Sequence, residues 1–149
     1  MQIKTVLWGA AAALILSTIA VAQTGESGTA TEARAMLEKA VAAVKADKAK
    51  ALDTFNRGEG GFKDRDLYVF CLNASDGVLT AHPKIKGTKA QTLKDANGFA
   101  FGEKFLSATE GKVSEIGYVW PRPGSDKPVP KVTYFTKVSD QICGVGYYK

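Results

Sequence analysis

The side chain best suited to acid–base chemistry in this sequence is His82, the only histidine in the chain. It ends an apolar segment, residues 78–82, that follows a tight turn at residues 75–77. A lone histidine is most often a hydrogen-bonded structural group, but at a strand end it can also donate to an anionic ligand. In that second case its protonation would tune the affinity with pH. Strict alternation along the strand places Val78, Thr80 and His82 on one face.

A second candidate is Lys131, which follows a proline and begins the apolar run KVTYF. An ammonium group that points inward is costly to bury alone and is stabilised by an incoming carboxylate. The alternative is a solvent-exposed lysine at a strand start, which composition alone favours. Alternation places Thr133 on the same face as Lys131 and Tyr134 on the opposite face.

Aromatic residues in two segments can enclose a small molecule. Tyr118 and Trp120 share one face of a predicted strand, and aromatic walls with polar tips suit pockets for small organic molecules. A short helix is predicted within residues 99–109, and its aromatic side chains would close such a pocket. Ordinary core packing explains all of these positions equally well. The helix carries Phe99, Phe101 and Phe105.

Catalysis, metal binding and nucleic-acid binding find little support. The chain has no Gly-x-Ser-x-Gly elbow, no phosphate-binding loop and no His-Glu-x-x-His motif. One histidine and two cysteines are too few strong ligands for a structural zinc site. The net charge is +5, but the lysines are scattered rather than interleaved with aromatics. We therefore predict no enzyme activity, no metal or cofactor, and no nucleic-acid partner.

The first residues have the pattern of a cleavable secretory signal peptide. Lys4 precedes an apolar run over residues 6–21, and a small-x-small site ends at Ala22. We predict a signal peptide at 1–22, a polar linker at 23–29 and one domain at 30–149, in a periplasmic or secreted protein. Retention of the leader as a membrane anchor is the alternative. In an exported protein, two cysteines favour a disulfide.

The rest of the chain predicts one helix followed by an antiparallel sheet. A capping box at Thr29 and Glu32 begins a long amphipathic helix over residues 31–56, and Gly58 ends it. A turn-rich loop is predicted at 83–98, and the proline-rich segment 121–130 is predicted to be a hairpin loop. The fold class is α+β with five strands. The strands are predicted at 66–73, 78–82, 112–120, 130–138 and 141–148.

The order of several short motifs resembles the single Cache domain family, type 2, over residues 31–149. The resemblance implies a PAS-like extracytoplasmic fold, with the long helix on one face of the sheet and a ligand pocket on the other. Residues 82–87 read HPKIKG, whereas family members often read His-Pro-x-Asn-Pro. The motifs are Asp66-Leu67-Tyr68-Val69-Phe70, Asp76-Gly77, Ala81-His82-Pro83, Gly87, Leu93-Lys94-Asp95, Gly98, Tyr118-Val119-Trp120-Pro121, Pro130-Lys131 and Gly144-Val145-Gly146-Tyr147-Tyr148.

The resemblance also implies specific contacts and a function. The first and last strands are neighbours in the family fold, so Cys71 and Cys143 are expected to form a structural disulfide. A basic or polar residue commonly faces the pocket at the position of Lys131. The expected function is sensing of a small organic acid, with signalling through a separate membrane receptor or kinase and a possible homodimer through the N-terminal helix. The alternative is a structural module with a filled core. The predicted ligand-binding residues are Lys131, His82, Tyr118, Trp120, Thr133, Phe99 and Phe101.

Overall fold

The computed structural model of the protein describes residues 25–149. The predicted signal peptide, residues 1–22, lies outside the described residues. None of the helices in residues 25–149 is long and apolar enough to span a bilayer. The elements in chain order are α1 (Ala30–Ala46), α2 (Lys48–Arg57), β1 (Lys63–Asp64), β2 (Leu67–Asn73), β3 (Leu79–Ala81), a 3₁₀ turn (Ala90–Thr92), α3 (Phe101–Phe105), β4 (Ser114–Pro121), β5 (Pro128–Val138) and β6 (Gln141–Tyr148).

The N-terminal helical region is two helices, whereas the sequence predicted one. The predicted capping box of Thr29 and Glu32 is confirmed at the start of α1. The break falls at Asp47, whose backbone is extended and whose carboxylate accepts from the Lys50 N–H. Aspartate competes for backbone donors in this way and therefore starts a new helix better than it continues one. Gly58, in the left-handed conformation, ends α2 as expected.

The sheet is antiparallel throughout and has six strands, in the order β1-β2-β6-β5-β4, with β3 also pairing with β2. The α+β class is confirmed, and the strand beyond the five predicted is the two-residue β1. Both Pro121 and Pro128 belong to strands, so the loop between β4 and β5 is shorter than predicted. Because β6 ends opposite Lys131, the prolines at the start of β5 have a neighbouring strand only on the β4 side.

The two faces of the sheet carry separate apolar cores. On one face, α1 and α2 pack on Leu67, Val69 and Val145. The disulfide Cys71–Cys143 lies in this core, with the two cysteines directly opposite each other in the β2–β6 ladder. The predicted disulfide is thereby confirmed. The opposite face packs beneath α3 and the 83–98 loop, and its buried residues are Phe70, Leu72, Leu79, Ala90, Phe101, Phe105, Tyr118, Phe135 and Ile142.

A register shift in β3 changes the face on which its residues lie. Ala81 pairs with Cys71 and Leu79 pairs with Leu72, so Thr80 is the extra residue of a bulge. The Thr80 hydroxyl donates to the side-chain oxygen of Gln141 at 2.6 Å. His82, in contrast, contacts the aromatic residues of β2 on the other face of the sheet. The strict alternation that grouped Thr80 with His82 was therefore wrong.

Candidate functional site

The centre of the candidate site is the side chain of Lys131, which is only 2 % exposed. Its Nζ donates to the hydroxyl of Tyr68 at 2.9 Å and lies 4.3 Å from the centre of that ring. It also lies 4.8 Å from the centre of the Tyr148 ring, because Lys131 and Tyr148 are opposite each other in the β5–β6 ladder. Within residues 25–149, no ion pair involves this ammonium. In the described part of the chain it is thus a buried cation with aromatic rings around it and no ion-pair partner.

Gly146 makes room for the lysine side chain on the neighbouring strand. A Cβ at this position would lie 2.3 Å from Lys131 Cε and 2.4 Å from Thr133 Oγ1. Thr133 is fully buried, and its hydroxyl shares a hydrogen bond of 2.9 Å with the Tyr118 hydroxyl. Glycine at 146 therefore lets the ammonium stem and the Thr133–Tyr118 pair lie close against the sheet.

A cavity of about 540 Å³ adjoins this cluster. Tyr68 belongs to both, because its hydroxyl bonds to Lys131 and its side chain lines the cavity. The walls come from the end of β3, the loop after it, and the connection between β4 and β5. No aspartate or glutamate is among the lining residues. They are Tyr68, His82, Pro83, Lys84, Ile85, Trp120, Pro121, Arg122, Pro123, Gly124 and Ser125.

Stacked aromatic rings support the wall next to Trp120. The rings of Phe101 and Tyr118 stack in parallel with their centres 4.0 Å apart, and the Trp120 ring meets Phe101 edge-on at 5.2 Å. Such contacts fix the orientation of large side chains as well as burying area. Trp120 therefore faces the cavity from a rigid support.

His82 faces the same cavity as a neutral imidazole. Its Nδ1 accepts the backbone N–H groups of Lys84 and Ile85 at 3.0 and 3.2 Å, which leaves the hydrogen on Nε2. Burial, together with the positive charge of Lys131, lowers the pKa of His82 to about 3. Near pH 7 the imidazole is therefore neutral, and its Nε2–H can still donate to an anion. That its protonation tunes the affinity with pH stays a prediction.

The hydroxyls of Tyr118 and Tyr148 also keep their protons. Burial raises the pKa of Tyr118, and the nearby Tyr68 raises it further. Burial raises the pKa of Tyr148 as well, again with a contribution from Tyr68. The Tyr148 hydroxyl donates to the Pro121 carbonyl and the Tyr118 hydroxyl is paired with Thr133, so the Lys131 ammonium is the group in this cluster that suits an anionic oxygen.

The structure brings six of the seven predicted ligand residues together. Phe101 is buried against Tyr118, whereas Phe99 is 40 % exposed and borders an open groove that Tyr118 and Lys131 also line. That Phe99 closes the pocket stays a prediction. Phe105, predicted with it, packs against Phe70 and Phe135 in the core. Whether the other six bind a ligand stays a prediction.

The sequence interpretation missed Tyr68 and Tyr148, which surround the ammonium. Both had a signal in the sequence. Tyr68 is two residues before Phe70 in β2 and therefore lies on the same face of the strand. Counting back from the predicted turn at 139–140 places Tyr148 opposite Lys131, as the register confirms. Gly146 follows Val145 in β6 and therefore lies on the opposite face of the strand. A glycine at this place indicates that this face is kept free of a side chain.

The fold and this site define a class of protein: a PAS-like α+β domain with helices on one sheet face and an aromatic, cation-containing cavity region on the other. The family model for the Single Cache domain 2 matches residues 11–148. The chain belongs to this family.

One relative is similar to this chain in sequence, and two solved structures are similar to it in fold. A stretch of 90 residues is 34 % identical to the methyl-accepting chemotaxis protein McpP of Pseudomonas putida and covers 57 % of this chain but only 16 % of that receptor. A solved Cache chemosensory domain, described for its carboxylic acid recognition, has a TM-score of 0.62 and 22 % identity over 79 % of this chain and 91 % of that one. A methyl-accepting chemotaxis protein from Vibrio parahaemolyticus has a TM-score of 0.64 and 24 % identity, covering 79 % and 86 %.

Proposed function

We propose that this domain binds a small organic acid, whose carboxylate becomes the counter-charge of the Lys131 ammonium. The observation that carries the proposal is the burial of that ammonium with a single hydrogen bond, to Tyr68, and no ion pair within residues 25–149. Removing an ammonium from water costs several kcal/mol unless it is paired. A carboxylate that enters the site supplies the missing partner.

The carboxylate reaches the ammonium from the side of Tyr68. This residue lines the cavity and holds Lys131 Nζ, so the ligand takes over or shares the hydrogen bond that the Tyr68 hydroxyl now accepts. The neutral Nε2–H of His82 provides a second donor from the same cavity. The Lys131 ammonium and the His82 Nε2–H together match the two oxygens of one carboxylate.

The remainder of the ligand is small and carries no positive charge. The cavity lining contains no acidic side chain, so the ammonium of an amino acid would be left without a partner. The aromatic wall at Trp120 suits a short apolar or hydroxylated tail. A ligand of about five heavy atoms is limited to roughly 7 kcal/mol of binding free energy, which corresponds to micromolar affinity or weaker.

The family supports the biological role that we propose. Recognition without turnover, in an exported sensor that informs a membrane receptor or kinase, fits both the leader-like first residues and the chemotaxis receptor among its relatives. The matched region spans 16 % of that receptor, so the rest of the signalling path is part of the proposal. Pairing of two copies through α1 remains a prediction. The alternative of a filled core is disfavoured by the cavity.

Isothermal titration calorimetry tests the proposal with acetate, propionate, pyruvate, succinate and glycine. We expect binding of the monocarboxylates, weak or no binding of glycine, and loss of binding in Lys131→Met. Lys127→Met, which removes an exposed lysine from the loop between β4 and β5, is the matched control and should bind as the wild type does. Unchanged affinity in Lys131→Met, or no binding of any carboxylate by the wild type, would refute the proposed function.

A further inference from the structure

A buried carboxylate lies between the candidate site and the segment that precedes α1. Asp66 is 7 % exposed and forms an ion pair with Arg122, a residue of the cavity lining. The other oxygen of Asp66 accepts the backbone N–H of Gly28 at 2.7 Å, and Arg122 also donates to the Ser27 hydroxyl at 2.8 Å. The pair therefore joins the cavity to residues 27 and 28.

The same arginine contacts the ring that covers the lysine. The Arg122 guanidinium carbon lies 4.8 Å from the centre of the Tyr148 ring, the same distance at which Lys131 Nζ lies from it. The Tyr148 hydroxyl donates to the carbonyl of Pro121 at 2.7 Å, directly before Arg122 in the chain. Arg122 and Lys131 each make a favourable cation–π interaction with the Tyr148 ring, so the position of this ring depends on both cations.

The segment at residues 27–28 has little freedom to adjust. Gly28 is buried against Leu67, where a Cβ would lie 2.1 Å from Leu67 Cγ. Arg65 holds the segment from its other side, through the Ser27 carbonyl at 3.1 Å. A change at Asp66 is therefore transmitted to the backbone of Gly28 rather than absorbed by a flexible side chain.

We propose that Asp66 and Arg122 are positioning residues for ligand binding: they hold the Tyr148 ring at the Lys131 ammonium and link the ligand site to residues 27–28. The inference rests on the proposed function, because it requires a carboxylate at Lys131. When the carboxylate binds, the Lys131 ammonium interacts less with the Tyr148 ring. The change in the position of the ring is then transmitted through Arg122 and Asp66 to the Gly28 amide. By linkage, weakening the pair changes the affinity, and the ligand changes the stability of the Gly28 hydrogen bond.

The test compares two ion pairs in the same protein. Asp66→Asn retains an acceptor for Gly28 but loses the charge, and Arg122→Gln loses the guanidinium. The controls are Asp53→Asn and Arg57→Gln, which break an exposed aspartate–arginine pair on α2. Propionate affinity is measured by calorimetry, and exchange of the Gly28 amide is measured with and without propionate. Thermal unfolding of each variant identifies any that does not fold, and Arg122, which is more exposed than Asp66, provides the second variant.

We expect each site variant to weaken propionate binding by roughly two- to thirtyfold, the range found for residues that couple sites without touching both. The double variant should be no weaker than the worse single variant, because both act through one contact. Propionate should alter Gly28 exchange in the wild type and in both controls but not in Asp66→Asn. Arg122→Lys should retain part of the propionate affinity that Arg122→Gln loses.

Two results separate the possible failures. If the wild type binds propionate but both site variants bind it within twofold, or if Gly28 exchange is the same with and without propionate, the positioning role is refuted and the proposed function stands. If the wild type binds none of the carboxylates, both are refuted. Equal weakening in the α2 controls would also overturn the positioning role, because the effect would then be general.

Discussion

Replacing Lys131 by methionine is the perturbation whose outcome depends most directly on the state of the buried ammonium. Its burial costs several kcal/mol. The hydrogen bond to Tyr68 returns about 1.5–3 kcal/mol, and the two ring contacts return about 1 kcal/mol each. The balance left uncompensated is on the order of 1–2 kcal/mol. Methionine fills a similar volume without a charge, so we expect the unfolding free energy of the ligand-free protein to rise by about that amount.

Two readouts of the Lys131→Met variant distinguish this account from an ordinary core substitution. In guanidinium unfolding, the ligand-free variant should be at least as stable as the wild type, and its melting temperature should be higher by about 4–8 °C. At a propionate concentration of about one hundred times Kd, the wild type should gain about 2.7 kcal/mol. The variant should gain nothing. A ligand-free variant that is less stable by more than about 1 kcal/mol would show that the fold already compensates the ammonium, and would refute the reasoning.

Three further predictions concern the elements around the site. Replacing Cys71 and Cys143 by serine opens a link between residues 72 apart and should lower the unfolding free energy by about 4 kcal/mol, measured in urea; no loss would contradict a structural role. The pKa of His82 is about 3 when folded and ordinarily 6.5, so the folded state binds the proton less readily, and stability present above pH 6.5 is lost as the pH falls toward 3. The free energy of unfolding, measured in urea, should therefore fall between pH 7 and pH 5 by about 1–2 kcal/mol more in the wild type than in His82→Gln. An equal fall in the two proteins would contradict the burial of a neutral imidazole. Gly146→Ala should displace the ammonium, cost about 1–3 kcal/mol of stability and weaken propionate binding in calorimetry, whereas Gly117→Ala, whose Cβ meets nothing closer than 3.9 Å, should bind as the wild type does.

Patterns that depend on one element at a time were predictable from the sequence. The capping box at Thr29 and the glycine end of α2 were both correct because each depends on local backbone donors. The adjacency of the first and last predicted strands, now β2 and β6, and the disulfide followed from the family resemblance and are confirmed. The break at Asp47 was not predicted, because the apolar periodicity resumes after a polar lapse near Lys48, whereas the capping bond of one side chain decides the conformation.

Features that depend on two elements at once were harder to predict. The bulge at Thr80 changes which β3 residues face the cavity, and no local signal indicates it. The inward orientation of Lys131 needs Tyr148 and Gly146 from the adjacent strand, and either residue alone reads as ordinary strand sequence. The ion pair of Asp66 with Arg122 joins residues 56 positions apart, and no periodic pattern in the sequence predicts such a contact.

The central claim is that a ligand carboxylate neutralises the buried ammonium of Lys131. A crystal structure of the wild-type domain with propionate tests it most directly. The account predicts a carboxylate oxygen about 2.7–2.9 Å from Lys131 Nζ, the distance of a charge-assisted hydrogen bond, with the apolar carbons toward the aromatic wall. Propionate bound elsewhere, with Lys131 still donating to Tyr68 alone, would contradict the claim.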